Sequence, residues 1–466
     1  MSQIYGSSNL KLIGTVLQRG ILILLLFCFP CWALFVNTEP ILRLFRQDPD
    51  VSRLTQIYVL IFIPALPATF LYQLQARYLQ NQGIVFPQVL TGFIGNLFNA
   101  LINYIFLYLL GLGVMGSALA NTISQYMLAI LLFLYIVWKK LYVKTWGGWS
   151  SACFEDWGSF TRLAIPSMLM VCVEWWAFEI GIILSGVLGV EDLGAQSIIY
   201  QMASLIFMVP VGFSIAVSVL IGQALGAGDI AQAKKSMVAA LIMAEICALV
   251  CCILLISLKD VIAYIYTSEQ TIVGLVSYVL PVYAGSHLFD GCVATCGGIL
   301  RGTGKQKVGA IFNIVGYYVI GLPVGISLMF AAKIGIIGFW LGILLCALIQ
   351  SITFLVFVFR IDWNKSSQEA QERAKERRTK TQDLNSKPVT YQSDPTIEDP
   401  EESSRVILMD PDNSQRLDPQ QNETHLGEVT QQNKLLSKRK LIVHRSLLLI
   451  GAITILMVGI LIRLCV

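Results

Sequence analysis

The sequence predicts an all-α polytopic membrane protein of two pseudo-symmetric helical lobes, four spans present of six and then six, with one appended C-terminal span. Three observations carry this. Of 466 residues, 56% are hydrophobic and only 13% charged, with a mean hydropathy of +0.68, a balance foreign to soluble domains. Apolar runs of about 20 residues or more, enough to cross a bilayer, recur eleven times. The chain also repeats itself at a fixed spacing.

The runs lie at 14–36, 54–79, 86–110 and 113–138 in residues 1–150, the incomplete first lobe. The six-helix second lobe, residues 151–360, carries 163–188, 193–220, 236–257, 271–299, 308–332 and 334–359. A final run, 442–466, forms the extra C-terminal helix in the segment 441–466. Pro30, Pro64, Pro67, Pro166, Pro210, Pro281 and Pro323 fall inside these runs. Spanning helices tolerate proline because neighbouring groups satisfy the freed carbonyls, so kinked helices are expected.

Alternate loops carry Lys11, then Arg77, then Lys139, Lys140 and Lys144, then Lys234 and Lys235, then Arg301, Lys305 and Lys307. The opposite loops hold mainly Arg43, Arg46, Arg53, Lys259 and Lys333. The positive-inside bias puts the first set in the cytoplasm. Eleven crossings then leave the amino end and the linker inside and Val466 outside, with Lys438, Arg439, Lys440 and Arg445 on the cytoplasmic side of the last span.

Residues 361–440 switch to Gln, Glu, Asp, Ser, Thr and Pro and contain fifteen of the twenty-nine acids. Such composition does not offset the entropy of ordering and predicts a disordered cytoplasmic linker. Its sequon at Asn422 is cytoplasmic in this topology and escapes glycosylation. Eleven cysteines raise a redox or metal reading, yet Cys28 and Cys31, at CxxC spacing, sit in an apolar span where cysteine acts as a small hydrophobe. Three histidines, with His425 and His444 in or beside the linker, build neither a zinc site nor a hydrolase triad. Gly302-Thr303-Gly304 reads as a turn rather than a phosphate cradle. No enzyme, cofactor or nucleic-acid partner is expected; the lipid bilayer is.

Four acids interrupt the spans: Glu174, Glu179, Glu245 and Asp290. A carboxylate at the membrane centre costs about 2.5–3.5 kcal/mol even on low scales, so such residues line cavities, pair with cations or carry protons, and transport is the first functional reading. Glu174 and Glu179 are five apart, about 140° around a helix, and act separately. Trp175 and Trp176 flank Glu179 at helical spacing, which suits a flat organic cation unless they are interfacial tryptophans. His287 is three residues before Asp290 and either shares a proton with it or holds a hydrogen bond. Glu245 reads as bonded to a neighbouring helix or as a protonated lipid-facing acid.

The repeat is read from three pairs. Gly113-Val114-Met115-Gly116 returns as Gly335-Ile336-Ile337-Gly338, Gln3 to Gly6 resembles Gln223 to Gly226, and Tyr78 to Gly83 resembles Ile299 to Gly304, each displaced by 220 to 222 positions. Parallel repeats imply an axis along the membrane normal and a cavity between the halves. Subtracting the repeat from Trp157 falls before Met1, so the counterparts of the spans at 163–188 and 193–220 are expected to be missing from the first lobe.

These residues carry a family resemblance. Arg46 to Val51, Ile63-Pro64-Ala65-Leu66-Pro67, Gly116 to Asn121, Leu163 to Met168 followed by Glu174-Trp175-Trp176, Leu225-Gly226-Ala227-Gly228, and Val308 to Ile311 with Gly321-Leu322-Pro323 resemble the multidrug and toxin extrusion (MATE) family, specifically its vertebrate branch of proton/organic cation antiporters. The resemblance covers all but the linker. It implies a plasma-membrane antiporter of two six-helix lobes, with two further helices before Met1, and functional acids at Glu174, Glu179 and Asp290, the last a Glu in close relatives. The position after Tyr200, Glu in relatives, is Gln201 here and cannot titrate.

The mechanism expected is mutual exclusion. Apolar surroundings favour the neutral carboxyl and an approaching cation favours the ionised one, so proton and cation compete while the lobes rock. Glu174, Glu179 and Asp290 are the proton- and cation-binding residues, with Trp175, Tyr200, Gln201 and His287 lining the cavity. Two rivals stand beside this reading. One is a transport-inactive truncated chain that associates with and inhibits a full-length sibling. The other is a lipid or glycan flippase of the same superfamily, whose cavity would be rich in Arg or Lys.

Overall fold

Among the described residues, ten helices are long and apolar enough to cross a membrane, and a pair bent by 58° passes the same test only when its two halves are taken together. They are seen in a computed structural model that describes residues 1–44, 48–373 and 443–463. A short helix α1 (Ser2–Gly6) leads into α2 (Leu10–Val36), α3 (Thr38–Leu44), α4 (Pro49–Phe62), α5 (Ala65–Gln80), α6 (Phe86–Tyr104) and α7 (Gly113–Trp138). Then follow α8 (Trp157–Leu188), α9 (Val190–Ala227), α10 (Ile230–Leu258), α11 (Gln270–Thr303), α12 (Gln306–Ile314), α13 (Leu322–Ile326) and α14 (Ile336–Phe359). Two more helices close the chain, α15 (363–373) and α16 (Val443–Arg463).

Local chemistry sets several ends. Asp48 accepts from the amides of Asp50 and Val51 with Pro49 in the first turn, and Asp229 accepts from Gln232, capping α4 and α10. Gly228 and Gly304, left-handed at φ +83, terminate α9 and α11. The expected kinks are unequal. Pro64 marks a break where α4 and α5 diverge by 58°, whereas Pro30, Pro166, Pro210 and Pro281 remain inside single helices.

Most helix contacts fall into two sets, joined where α1 packs on α9. In one, α7 packs on α4, α5 and α6, and α5 on α2; in the other, α11 packs on α9, α10 and α14, and α12 on α8. Glycine sets the α9–α11 spacing. A Cβ on Gly298 would stand 2.2 Å from the Ser214 carbonyl oxygen, and one on Gly302 2.9 Å from that of Ser218. Small residues at such crossings let backbones approach where lipid offers no hydrophobic drive. Around this seam Val173, Ile199, Val276, Tyr283 and Trp340 form one buried cluster, and Val217, Ile221, Phe354 and Val358 another.

The repeat reappears as backbone geometry. Both α6 and α13 run into wide π turns, Ile105–Leu109 and Ser327–Ala331, and each is followed by a left-handed pair, Gly111 and Gly113 or Lys333 and Gly335. Each of these features is displaced by 222 positions, like the sequence motifs.

The expected linker begins differently from its composition. Residues 363–373 are helical because Trp363 and Ala370 are buried in the cluster of Phe354 and Val358 and the Ser367 hydroxyl donates to the Leu225 carbonyl at 3.3 Å. The rest of the linker, with Asn422, His425 and the Lys438-Arg439-Lys440 cluster, lies outside the described residues, as do Arg46 and Gln47.

Helix α16 docks on α2. The Asn37 side chain donates to the Gly459 carbonyl at 2.8 Å, Gly459 sits against Ala33, and Arg463 pairs with Glu39 at 2.7 Å. At the other end Arg445 donates to the Phe154 carbonyl and its guanidinium lies 4.3 Å from the Trp157 ring centre. The bond from Arg463 holds the Glu39 carboxyl below its ordinary value of 4.5, helped by the charge of Arg43. A depressed carboxyl contributes above its ordinary value and its contribution is lost as pH falls through the lowered one. The clamp is therefore expected to be constant from neutral pH down to about 4.5 and to fail in stronger acid. Hydrogen exchange of the α16 amides checks this: Glu39→Gln and Arg463→Ala each accelerate exchange at neutral pH, and the double variant exchanges no faster than either single one.

Candidate functional site

Glu174 stands at the junction of two spaces. The larger, about 480 Å³, is lined by Glu174, Trp175, Ser214 and Ser218, by Arg301 of α11, and by Arg77, Gln80 and Asn81 at the end of α5. Its volume falls in the range of small-molecule sites. The smaller, about 30 Å³, is lined by Glu174, Trp175, Phe178, Tyr200, Ser204, Phe207, Tyr283 and Asp290. That recess admits a water or two and no organic molecule. Glu174, Trp175 and Phe207 belong to both walls.

Helix geometry explains the grouping. Tyr283, Asp290 and Arg301 sit seven and eleven residues apart on α11, about two and three turns, so they share one face. Asp290 is buried at 7% exposure, and Glu174 on α8 is half-buried across from it. The Tyr317 hydroxyl faces the Glu174 carboxylate. Trp175 meets Tyr200 edge to face at 6.4 Å, and Phe178 joins Tyr200, Tyr317 and Trp340 in one aromatic wall. Arg301 donates to the Ser214 hydroxyl at 2.6 Å, and Arg77 to Gln80 at 3.0 Å.

The other expected site residues are placed apart from this pair. Glu179 is exposed and accepts from the Tyr200 hydroxyl at 3.1 Å, so Tyr200 connects it to the recess that Tyr200 lines. Trp175 belongs to the wall that holds Glu174, while Trp176 turns outward at 54% exposure. The aromatic partner of Glu179 is thus Tyr200, in place of the expected Trp175 and Trp176. Gln201 is exposed on α9 and lines neither space, because one residue rotates it about 100° from Tyr200. His287 is 0% exposed, packs its ring on Tyr283 at 6.0 Å, and has no hydrogen-bond partner on either ring nitrogen, so neither expected role, a proton shared with Asp290 or a hydrogen bond, is in place. Glu245 packs beside Gly291 and Ala248 with its Oε1 buried and unpartnered, on α10 and outside both spaces.

Sequence reasoning missed Arg77 and Arg301, which it assigned to cytoplasmic loops. The signal was present in the three-turn spacing from Asp290 to Arg301.

Comparison with known proteins decides the family. The MatE family model matches residues 1–105 and 166–326. The chain belongs to the MATE family. Multidrug and toxin extrusion protein 1 of Xenopus tropicalis is 61% identical over all of this chain and 80% of its own length. The Homo sapiens protein of that name is 54% identical over 99% of this chain and 82% of its own. The crystal structure of the eukaryotic MATE transporter AtDTX14 superposes with a TM-score of 0.77 at 28% identity, covering 80% of this chain and 84% of that one. MATE proteins are transporters and not enzymes, and the fold here is the all-helical polytopic fold of that family.

The α9–α11 seam positions both walls of the MATE cavity. Gly298→Ala forces the helices apart and is expected to lower stability by about 1–3 kcal/mol. Gly274→Ala, on the same helix with open space around its Cβ, is neutral or stabilising by a few tenths of a kcal/mol. Thermal unfolding in detergent checks the pair.

Proposed function

We propose that this chain exports organic cations and cationic drugs across the plasma membrane in exchange for protons, with Glu174 and Asp290 as the sites where the two ligands exclude each other. The observation that carries this is the position of Glu174 between a space of about 480 Å³ and a recess of about 30 Å³ that holds Asp290. An organic cation fits the first beside Glu174 and the Trp175 ring, where carboxylate and aromatic face both attract it. Only water and protons fit the second. A cation against Glu174 favours the ionised acids, and protonation of the pair removes the charge that held the cation. Glu179 is the outer member, held through Tyr200, and Gln201 supplies no proton. The names of the relatives, multidrug and toxin extrusion proteins, support the substrate class.

The proposed architecture is two pseudo-symmetric lobes, residues 1–150 and 151–360, with the amino end in the cytoplasm and α16 ending outside. Matching π turns and left-handed glycines at a common displacement support the symmetry, and the lysine and arginine loops support the orientation. Arg77 and Arg301 favour a second reading, a flippase for anionic lipid, since guanidinium groups suit phosphate. Against it, Arg301 is committed to Ser214 and two carboxylates face the same spaces.

Uptake into vesicles under an imposed and then collapsed pH gradient, normalised to inserted protein, tests the proposal. Removing one partner of a buried charge pair costs several kcal/mol. Glu174→Gln should therefore cut gradient-driven uptake of a quaternary ammonium ion about 100-fold. Asp290→Asn should abolish the response to the gradient while cation binding in detergent changes by only a few-fold. Undiminished uptake by Glu174→Gln removes it from the site, and anionic-lipid movement without cation uptake replaces the proposal with the flippase.

A further inference from the structure

One end of the larger space is sealed by a pair of hydrogen bonds that the repeat exchanges. Gln3 Nε2 donates to the Gly302 carbonyl at 2.9 Å, and Gln223 Nε2 donates to the Asn81 carbonyl at 2.9 Å. Gln3 corresponds to Gln223 and Asn81 to Gly302 at displacements of 220 and 221, so each bond is the other's counterpart. Where the strands of this seal cross, the backbones touch. A Cβ on Gly6 would lie 2.0 Å from the Gln223 carbonyl oxygen, and one on Gly226 2.0 Å from that of Gln3. Asn81 itself lines the cavity and Arg301 beside Gly302 does too, so the seal is the floor of that space.

Helix α15 crosses this floor. Trp363, Ala370 and the Ser367 bond to Leu225 anchor it to the second set of helices. Its last described residue, Arg373, donates to Gln3 Oε1 at 3.1 Å and is steadied by Glu369 at 3.2 Å. Both ends of the Gln3 amide are then engaged, Nε2 by Gly302 and Oε1 by Arg373, which fixes its orientation. We infer that Gln3 and Gln223 form the inner gate of the transport cycle, and that Arg373 is a positioning residue through which α15 straps the gate shut. The inference rests on the reading of the chain as an alternating-access transporter, because only such a protein must open this floor. Opening requires both glutamine bonds and the Arg373 bond to break, since all three tie the two sides of the floor together.

The test reads access rather than transport. Ser218→Cys on the cavity wall is labelled with a membrane-impermeant maleimide applied to the gate side of full-chain vesicles, against the background of the native cysteines. One lost hydrogen bond corresponds to a shift of about 3- to 10-fold in a two-state population. Arg373→Gln, at the exposed end of α15, and Gln223→Ala are each expected to raise gate-side labelling by that factor while labelling from the opposite side falls. Adding Arg373→Gln to Gln3→Ala should give no further increase, because Arg373 acts through Gln3. Unchanged gate-side labelling in both variants, or equal increases from both sides, overturns the gate. Normal labelling behaviour in a chain that moves no organic cation overturns the transport reading and leaves the gate standing.

Discussion

A carboxylate among apolar spans has to be neutralised, hydrated or paired, and in the proposed site that demand falls on Glu174 and Asp290 together. They belong to helices α8 and α11, brought to one recess by a seam in which Gly298 and Gly302 replace side chains with backbone. Two acids sharing a recess of about 30 Å³ do not ionise independently, since like charges at close quarters oppose one another. In the proposed mechanism a proton or a cation stabilises the site, and supplying one displaces the other. The aromatic wall of Trp175, Phe178 and Tyr200 excludes most water and strengthens both alternatives.

The two spaces differ in size. Asp290 lines only the recess of about 30 Å³, while Glu174 also faces a volume suited to an organic ligand. Arg301 and Arg77 line that same volume, Arg301 next to Gly302 and Arg77 four residues before Asn81, the two residues whose carbonyls the glutamines bond. The Gln3 and Gln223 bonds close that end through a pair of symmetric contacts, and α15 adds an asymmetric third.

Much of the fold was legible because hydrocarbon enforces it. The candidate spans were visible as apolar runs, and the repeated motifs, Gly113 to Gly116 with Gly335 to Gly338 and Gln3 to Gly6 with Gln223 to Gly226, mark where the left-handed turns and the glutamine pair lie. What escaped depended on tertiary context. The π turns at Ile105–Leu109 and Ser327–Ala331 carry no composition signal, and α15 reads as linker because its order comes from the Trp363 and Ala370 contacts rather than from its own polar sequence. At the site, Glu174 and Asp290 were found by charge in apolar runs. Gln201, singled out because the family resemblance puts a Glu there, lies about 100° around the helix from Tyr200 and lines neither space, and Arg301 was undervalued because loop counting ignored its three-turn register with Asp290. His287 was read from spacing as sharing a proton with Asp290 or holding a hydrogen bond, whereas its ring packs on Tyr283.

Competition between proton and cation is the central claim, and it is measured most directly by proton release. Purified protein in weakly buffered detergent near neutral pH is titrated with a quaternary ammonium ion, which carries no exchangeable proton. The account predicts that binding expels protons, about one or more per cation, and that by linkage the cation affinity falls as pH is lowered. Cation binding with no proton released, and with an affinity independent of pH, would contradict it.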